Sequence, residues 1–229
     1  MSVLDPVETS FDRTRVLPFG TRQPAEYAAV HAHQERILAQ RIAGATGDAI
    51  LVGEHARVVT LGRGLRQTPE SLGPLPIPTF AVERGGLATW HGPGQLVAYP
   101  IVSLAELRLG IREYLRALEE AILRALAGFG IEGGRRDGAT GVWVGERKIA
   151  SIGVAVRHRV TWHGLALNVA PDLADFSRIR PCGFEPDVMT SMERLLGRAP
   201  DLDAVKRRLV DDLIAVLGLA APRWEPPAA

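Results

Sequence analysis

The residues able to do chemistry in this sequence are a lone cysteine, two lysines and a histidine bracketed by glycines. Cys182 sits in Arg180-Pro181-Cys182-Gly183, where the flanking proline and glycine do not suit a helix interior or a central strand. A loop cysteine is either a small buried hydrophobe or a reactive thiol, and position alone leaves both readings open. Lys148 opens the run Lys148-Ile149-Ala150-Ser151-Ile152-Gly153-Val154-Ala155-Val156. On a regular strand it shares the apolar face with Ala150, Ile152, Val154 and Val156. It then either snorkels to water from the strand end or stays partly buried, where a neighbouring thiol would feel its charge. Lys148 and Lys206 are the only lysines among 27 basic residues. Because a guanidinium never loses its proton, a lysine in so arginine-rich a chain marks a place where a deprotonable cation is useful. Lys206, among Arg207, Arg208, Asp211 and Asp212, reads as a solvated helix charge.

The densest pattern is Arg84-Gly85-Gly86-Leu87-Ala88-Thr89-Trp90-His91-Gly92-Pro93-Gly94-Gln95. One reading is a hairpin whose glycines serve turns. The other is that bare backbone at Gly85 and Gly86 lets a substrate chain lie close while His91 supplies a polar contact. The order is neither that of a phosphate-binding P-loop nor that of a dinucleotide fingerprint. His91 has no partners at zinc-ligand spacing, so no metal is expected.

These residues need a frame. Helical spacing runs through Tyr27, Val30, Gln34, Leu38 and Ile42, and again from Ile111 to Phe129 with Gly130 as its stop. A third helix runs from an Asp201 cap to Gly218, after which the chain trails off in prolines. Between them lie short β-rich runs: Ala49–Val52, Arg57–Leu61, Thr79–Val82, Leu87–Trp90, Leu96–Val102, Gly141–Val144, Lys148–Arg157 and Val160–Val169. That order predicts an α/β fold with mixed or antiparallel sheets flanked by helices. Gln67–Pro78 reads as a flexible loop. No linker or repeat divides the chain, so residues 1–229 are expected to form a single catalytic domain, with a motif-bearing core at about 25–215 and short tails.

At 229 residues with 46% apolar and 23% charged composition, the chain can bury a core without disulfide or metal. A net charge of +1 lacks the footprint of a nucleic-acid binder. No apolar run is long enough for a membrane span, and acidic residues near the start argue against a targeting leader. With one cysteine, the expected location is a reducing cytoplasm.

Three ordered blocks together resemble the lipoyl(octanoyl) transferase family of the lipoate-protein ligase B type: RGGLATWHGPGQLVAYPI from Arg84, KIASIGVAVRHRVTWHGLALNV from Lys148, and Pro181-Cys182-Gly183. One departure is Ala56-Arg57 after His55, where the family commonly has prolines. The resemblance implies the biotin/lipoate protein ligase fold and transfer of an octanoyl group from octanoyl-acyl carrier protein to a lysine of a lipoyl domain. The acceptors it implies are the E2 subunits of 2-oxoacid dehydrogenases and the glycine cleavage H protein. It further implies Cys182 as acyl-thioester nucleophile and Lys148 as the residue that activates it. The segments Arg84–His91, Ser151, Ile152 and Gly153, and Gly164, Leu165 and Ala166 are implied to bind substrate, with no cofactor. Three other readings stay open on the residues: an ATP-dependent lipoate or biotin ligase, a Cys–His hydrolase using His91 or His163, and a non-catalytic acyl-binding module.

Overall fold

The chain folds on a strand order that alternates buried residues between two apolar layers. The computed structural model describes residues 13–65, 77–178 and 188–227. The strands are β1 (Thr14–Phe19), β2 (Ala49–Gly53), β3 (Val58–Leu61), β4 (Thr79–Ala81), β5 (Ala88–His91), β6 (Gln95–Ile101), β7 (Gly134–Arg136), β8 (Ala139–Val144), β9 (Arg147–Arg157), β10 (Val160–Asn168) and β11 (Pro222–Trp224). The helices are α1 (Tyr27–Ile42), α2 (Ile111–Ala127), α3 (Met192–Leu196) and α4 (Leu202–Leu217). Eight strands form a large sheet in the order β11-β1-β2-β6-β10-β9-β8-β7, and β4-β3-β5 form a small one. Pairing is parallel at β1–β11, β1–β2 and β3–β4 and antiparallel elsewhere, so the expected mixed sheet is what the chain builds.

The large sheet is covered on both faces. Ile50 and Val52 of β2 and Leu96 and Ala98 of β6 pack with Tyr114, Leu118 and Ile122 of α2 and Leu209 and Leu213 of α4. The intervening Ala49, Leu51, Val97, Tyr99 and Ile101 face the other way, onto Val30, Ile37 and Leu38 of α1. A strand buried on both faces has no polar side to show, which is why β2 and β6 read as nearly continuous apolar runs.

The helices start and stop close to their expected ends. Asp201 caps α4, its carboxylate accepting from the Asp203 amide, and Gly218 ends it at φ +65°. Helix α2 ends at Ala127, before Gly130. Three expectations need correction. The prolines after α4 do not simply trail off: Pro222–Trp224 adds β11 in parallel to β1, tied by Arg15 Nε to Glu225 Oε1 at 2.6 Å. Lys206 is not solvated: it is buried, and its ammonium bonds Asp203. The glycine-rich block is not a hairpin, since β5 belongs to the small sheet and β6 to the large one. The loop read at Gln67–Pro78 lies almost wholly outside the described residues.

Where the two sheets and α1 meet, Phe19, Tyr27, His55, His91 and Tyr99 form a cluster of rings. His55 Nε2 hydrogen-bonds Tyr99 Oη at 2.8 Å. Burial, with His91 adding to it, pulls His55 down to about 3. Burial likewise pulls His91 down to about 4, against the opposing hydrogen bond to Gln95. Both rings stay neutral when folded, whereas the unfolded chain takes up a proton at each below about pH 6.5. Their contribution to stability is therefore complete above about pH 6.5, is lost as pH falls, and levels off below the folded values. Each excluded proton costs about 1.4 kcal/mol per pH unit in that window. The urea midpoint is expected to drop between about pH 7 and pH 5, and His55→Asn to flatten that slope; a pH-independent midpoint contradicts it.

Candidate functional site

Backbone contacts between the two sheets create a cavity. Gly62, Arg63 and Gly64 donate to the carbonyls of Leu87, Arg84 and Gly86, laying the segment Arg84–Leu87 along the end of β3. Gly85 N then donates to Val154 O of β9 at 3.0 Å, so the same segment roofs a space against the large sheet. A Cβ at Gly62 would lie 2.4 Å from Gly86 O, so this approach is open only to glycine. The cavity has about 460 Å³ of free space when the solvent at its open mouth is counted.

Its walls come from segments far apart in the chain. The roof supplies Arg84, Gly85 and Gly86, and β5 supplies Thr89 and His91. Ser151, Ile152 and Gly153 of β9 and Gly164, Leu165 and Ala166 of β10 form the floor, with Tyr27, Tyr99 and His163 closing the side. Gly153 and Gly164 face each other across the β9–β10 ladder. Pro100 explains the shape beside them. It has no N–H, and the β6–β10 ladder runs only from Leu165↔Ala98 onward. Next to the break, His163 takes φ +54°. Its ring then points into the cavity wall with only 2% of the residue exposed.

Period-two alternation divides the expected binding segment. Thr89 and His91 face the cavity, while Ala88 and Trp90 face the opposite side in a cluster with Val59, Leu61, Phe176 and Met189. Ala88 and Trp90 therefore do not line this cavity, and neither does Leu87, which precedes β5; the other eleven expected substrate-binding residues do.

Arg84 is buried and folded back on β3, with Nη2 donating to Thr60 O at 2.7 Å and to Thr60 Oγ1 at 2.9 Å. Nη1 donates to Gly85 O at 3.0 Å, so the same guanidinium that faces the cavity also props its roof. His91 is held by a relay that sequence reading missed. Asn168 Nδ2 donates to Thr190 O at 2.9 Å, Gln95 Nε2 donates to Asn168 Oδ1 at 3.0 Å, and Gln95 Oε1 faces His91 Nδ1 at 2.7 Å. A backbone carbonyl only accepts, so the Thr190 end orients both amides and leaves Gln95 Oε1 as the acceptor. The proton of neutral His91 then sits on Nδ1, and Nε2 is left as the acceptor facing Thr60 Oγ1 at 3.5 Å. Thr190 N in turn donates to Lys148 O at 3.0 Å, so the relay runs from the cavity to the start of β9.

Lys148 does not line the cavity; it lies three residues before Ser151, about 10 Å along the strand. The lysine is 4% exposed, with Nζ 5.5 Å from the centre of the Trp143 ring and its stem passing over Gly141. Of the two readings for this residue, burial is the one the fold adopts. Met189 forms a bridge with Lys148, and Phe176 and Met189 share one apolar cluster. Cys182, with Pro181 and Gly183, lies outside the described residues. On the surface, Arg57 pairs with Asp175 at 2.7 Å and Arg135 with Glu120 at 2.7 Å.

A second group comes together beside the cavity from α1, the residue preceding Arg84 and β10. The donor atoms of His31, Glu83 and His163 all lie within 4.8 Å of one another. No sequence spacing links them.

An octanoyltransferase of Xanthomonas campestris is 48% identical over 175 residues, covering 76% of this chain and 74% of its own. An octanoyltransferase of Chloroflexus aggregans is 44% identical over 202 residues, covering 85% and 91%. The solved structure of lipoate-protein ligase A bound with ATP superposes with a TM-score of 0.66 at 18% identity, covering 93% of this chain and 90% of that one, which establishes the shared fold. Residues 26–214 match the lipoyl protein ligase A/B catalytic domain, and with relatives this similar over most of its length the chain belongs to that family.

Proposed function

We propose that this chain is an octanoyltransferase of protein lipoylation: it takes an octanoyl group from octanoyl-acyl carrier protein, holds it on Cys182 and passes it to a lysine ε-amine of a lipoyl domain. The observation that carries this reading is the agreement with relatives named octanoyltransferase across most of the chain. An acyl donor and a lipoyl-domain acceptor follow in general; the E2 subunits of 2-oxoacid dehydrogenases and the glycine cleavage H protein are the acceptors proposed. The work is done in one catalytic domain without a cofactor, and a reducing cytoplasm keeps the one cysteine a thiol.

A thiol with the ordinary value near 8.5 is only about 3% thiolate at pH 7. In the proposed reaction the Lys148 ammonium favours the Cys182 thiolate, which attacks the thioester carbonyl. Lys148 gives its proton to the departing carrier thiol and is left neutral. It then takes a proton from the incoming lysine, which attacks the Cys182 thioester and releases the thiol. The burial of Lys148 supports this role, because water does not screen its charge. So does the chain path: Thr190, whose amide bonds Lys148 O, is eight residues beyond Cys182.

The cavity supports an acyl site. Seven buried carbons at about 0.8 kcal/mol each supply roughly 5–6 kcal/mol, and Ile152, Leu165 and Ala166 offer the apolar wall. Thr89, His91 and Arg84 stand at its polar side, suited to the thioester end.

Initial-rate plots with varied donor and acceptor, without ATP, are expected to be parallel, as a covalent intermediate requires; convergent plots, or a need for ATP and free octanoate, replace the reading with a direct or ligase mechanism. A Cβ at Gly153 would lie 2.9 Å from Arg84 Cδ and 3.2 Å from Gly85 O, so Gly153→Ala narrows the cavity. Its octanoyl-to-hexanoyl ratio of kcat/KM is expected to fall at least about fourfold, the equivalent of one buried methylene. An unchanged ratio contradicts the placement of the acyl chain.

A further inference from the structure

We infer that His31, Glu83 and His163 form a binding site for one divalent transition-metal ion of the zinc class, which clips the cavity roof to α1 and β10. His31 Nε2 lies 3.6 Å from Glu83 Oε2, and His163 Nε2 lies 3.8 Å from the same oxygen. Both distances are too long for hydrogen bonds. They are close to the separation of about 3.4 Å that two ligands take around a tetrahedral zinc with bonds of about 2.1 Å. A closure of less than half an ångström brings each of these two pairs to that spacing, and the two histidines lie within 4.8 Å of one another.

Two further observations point to a ligand. Neither His31 Nε2 nor His163 Nε2 has a hydrogen-bond partner among the described residues, although both atoms are buried. A buried imidazole nitrogen with nothing to bind calls for an explanation, and here two such atoms converge on one carboxylate. The other ring nitrogen of His31, Nδ1, lies 3.8 Å from Glu35 Oε2 one turn along α1. At that distance Glu35 makes no hydrogen bond to the ring, but its negative charge stands beside the site and favours a cation there. On the other side, Gln34 Oε1 accepts from His163 N at 3.0 Å, which fixes the backbone where φ is +54° and the ring is aimed.

The donor set selects the class of ion. Two imidazoles and one carboxylate suit zinc and its first-row neighbours, whereas magnesium and calcium prefer an all-oxygen shell. Three protein ligands leave a position open on a tetrahedral ion. The charges of Arg63 and Arg84 act on His163 and oppose a cation, so the site is expected to be weaker than a dedicated structural zinc site. His31 is 22% exposed at its side chain, which gives an ion a way in from solvent.

The test uses the full chain carrying Cys182→Ser, so that the one cysteine cannot ligate. The metal-free protein is titrated with zinc against a chromogenic chelator, and with cobalt(II) to read the visible absorption of a tetrahedral site. One equivalent is expected to bind with a rise in melting temperature. His31→Ala and Glu83→Gln, each checked for native far-ultraviolet dichroism, are expected to weaken binding at least about tenfold and to abolish the rise. Absence of saturable one-to-one binding overturns the site, and so does binding that either variant leaves unchanged.

Discussion

The Thr190 carbonyl accepts hydrogen bonds and cannot donate them, and the polar interior of the protein is organised around that restriction. It orients Asn168, which orients Gln95, which sets the proton of His91 on Nδ1. The relay joins the small sheet at β5, the large sheet at β6 and β10, and, through the Thr190 amide, Lys148 at the start of β9. A neutral imidazole whose Nε2 faces the Thr60 hydroxyl is what remains at its end. Burial reinforces this by holding His91 well below the usual histidine range.

A second constraint is steric. The two sheets approach closely enough to enclose a cavity only because glycines stand at the seam. At Gly94, with φ +81°, a Cβ would lie 2.2 Å from Ala170 O, and Gly94 O accepts from both Val169 and Ala170. That contact anchors the end of β10, from which Asn168 enters the relay. The glycines around His91 thus have different duties: Gly85 and Gly86 leave room at the roof, and Gly94 permits contact with another segment.

Much of the frame was legible in the sequence because its signals are local. The 3.6-residue stripe of α2, the Asp201 cap and the apolar runs of β2, β6 and β10 each follow from neighbouring residues. Strand β1 was not legible: Arg15 and Pro18 break its pattern, and it becomes a strand through parallel pairing with β2 and β11. The site divides in the same way. The glycine-rich segments could be read as cavity walls, and simple alternation would have removed Ala88 and Trp90 from them. The relay and the His31–Glu83–His163 group could not be read, because each depends on strand order and on the kink that Pro100 and His163 introduce into the central ladder.

The proposed transfer turns on Cys182 as the carrier of the acyl group and on Lys148 as the residue that makes it reactive. The most direct measurement is the intact mass of the protein after mixing with octanoyl-acyl carrier protein, without ATP and before any lipoyl domain is added. The account predicts a thiol-labile octanoyl adduct on the native chain, none on Cys182→Ser, and slowed formation on Lys148→Arg. Acylation of a lipoyl domain by the Cys182→Ser protein at the native rate, with no adduct on either, would contradict it.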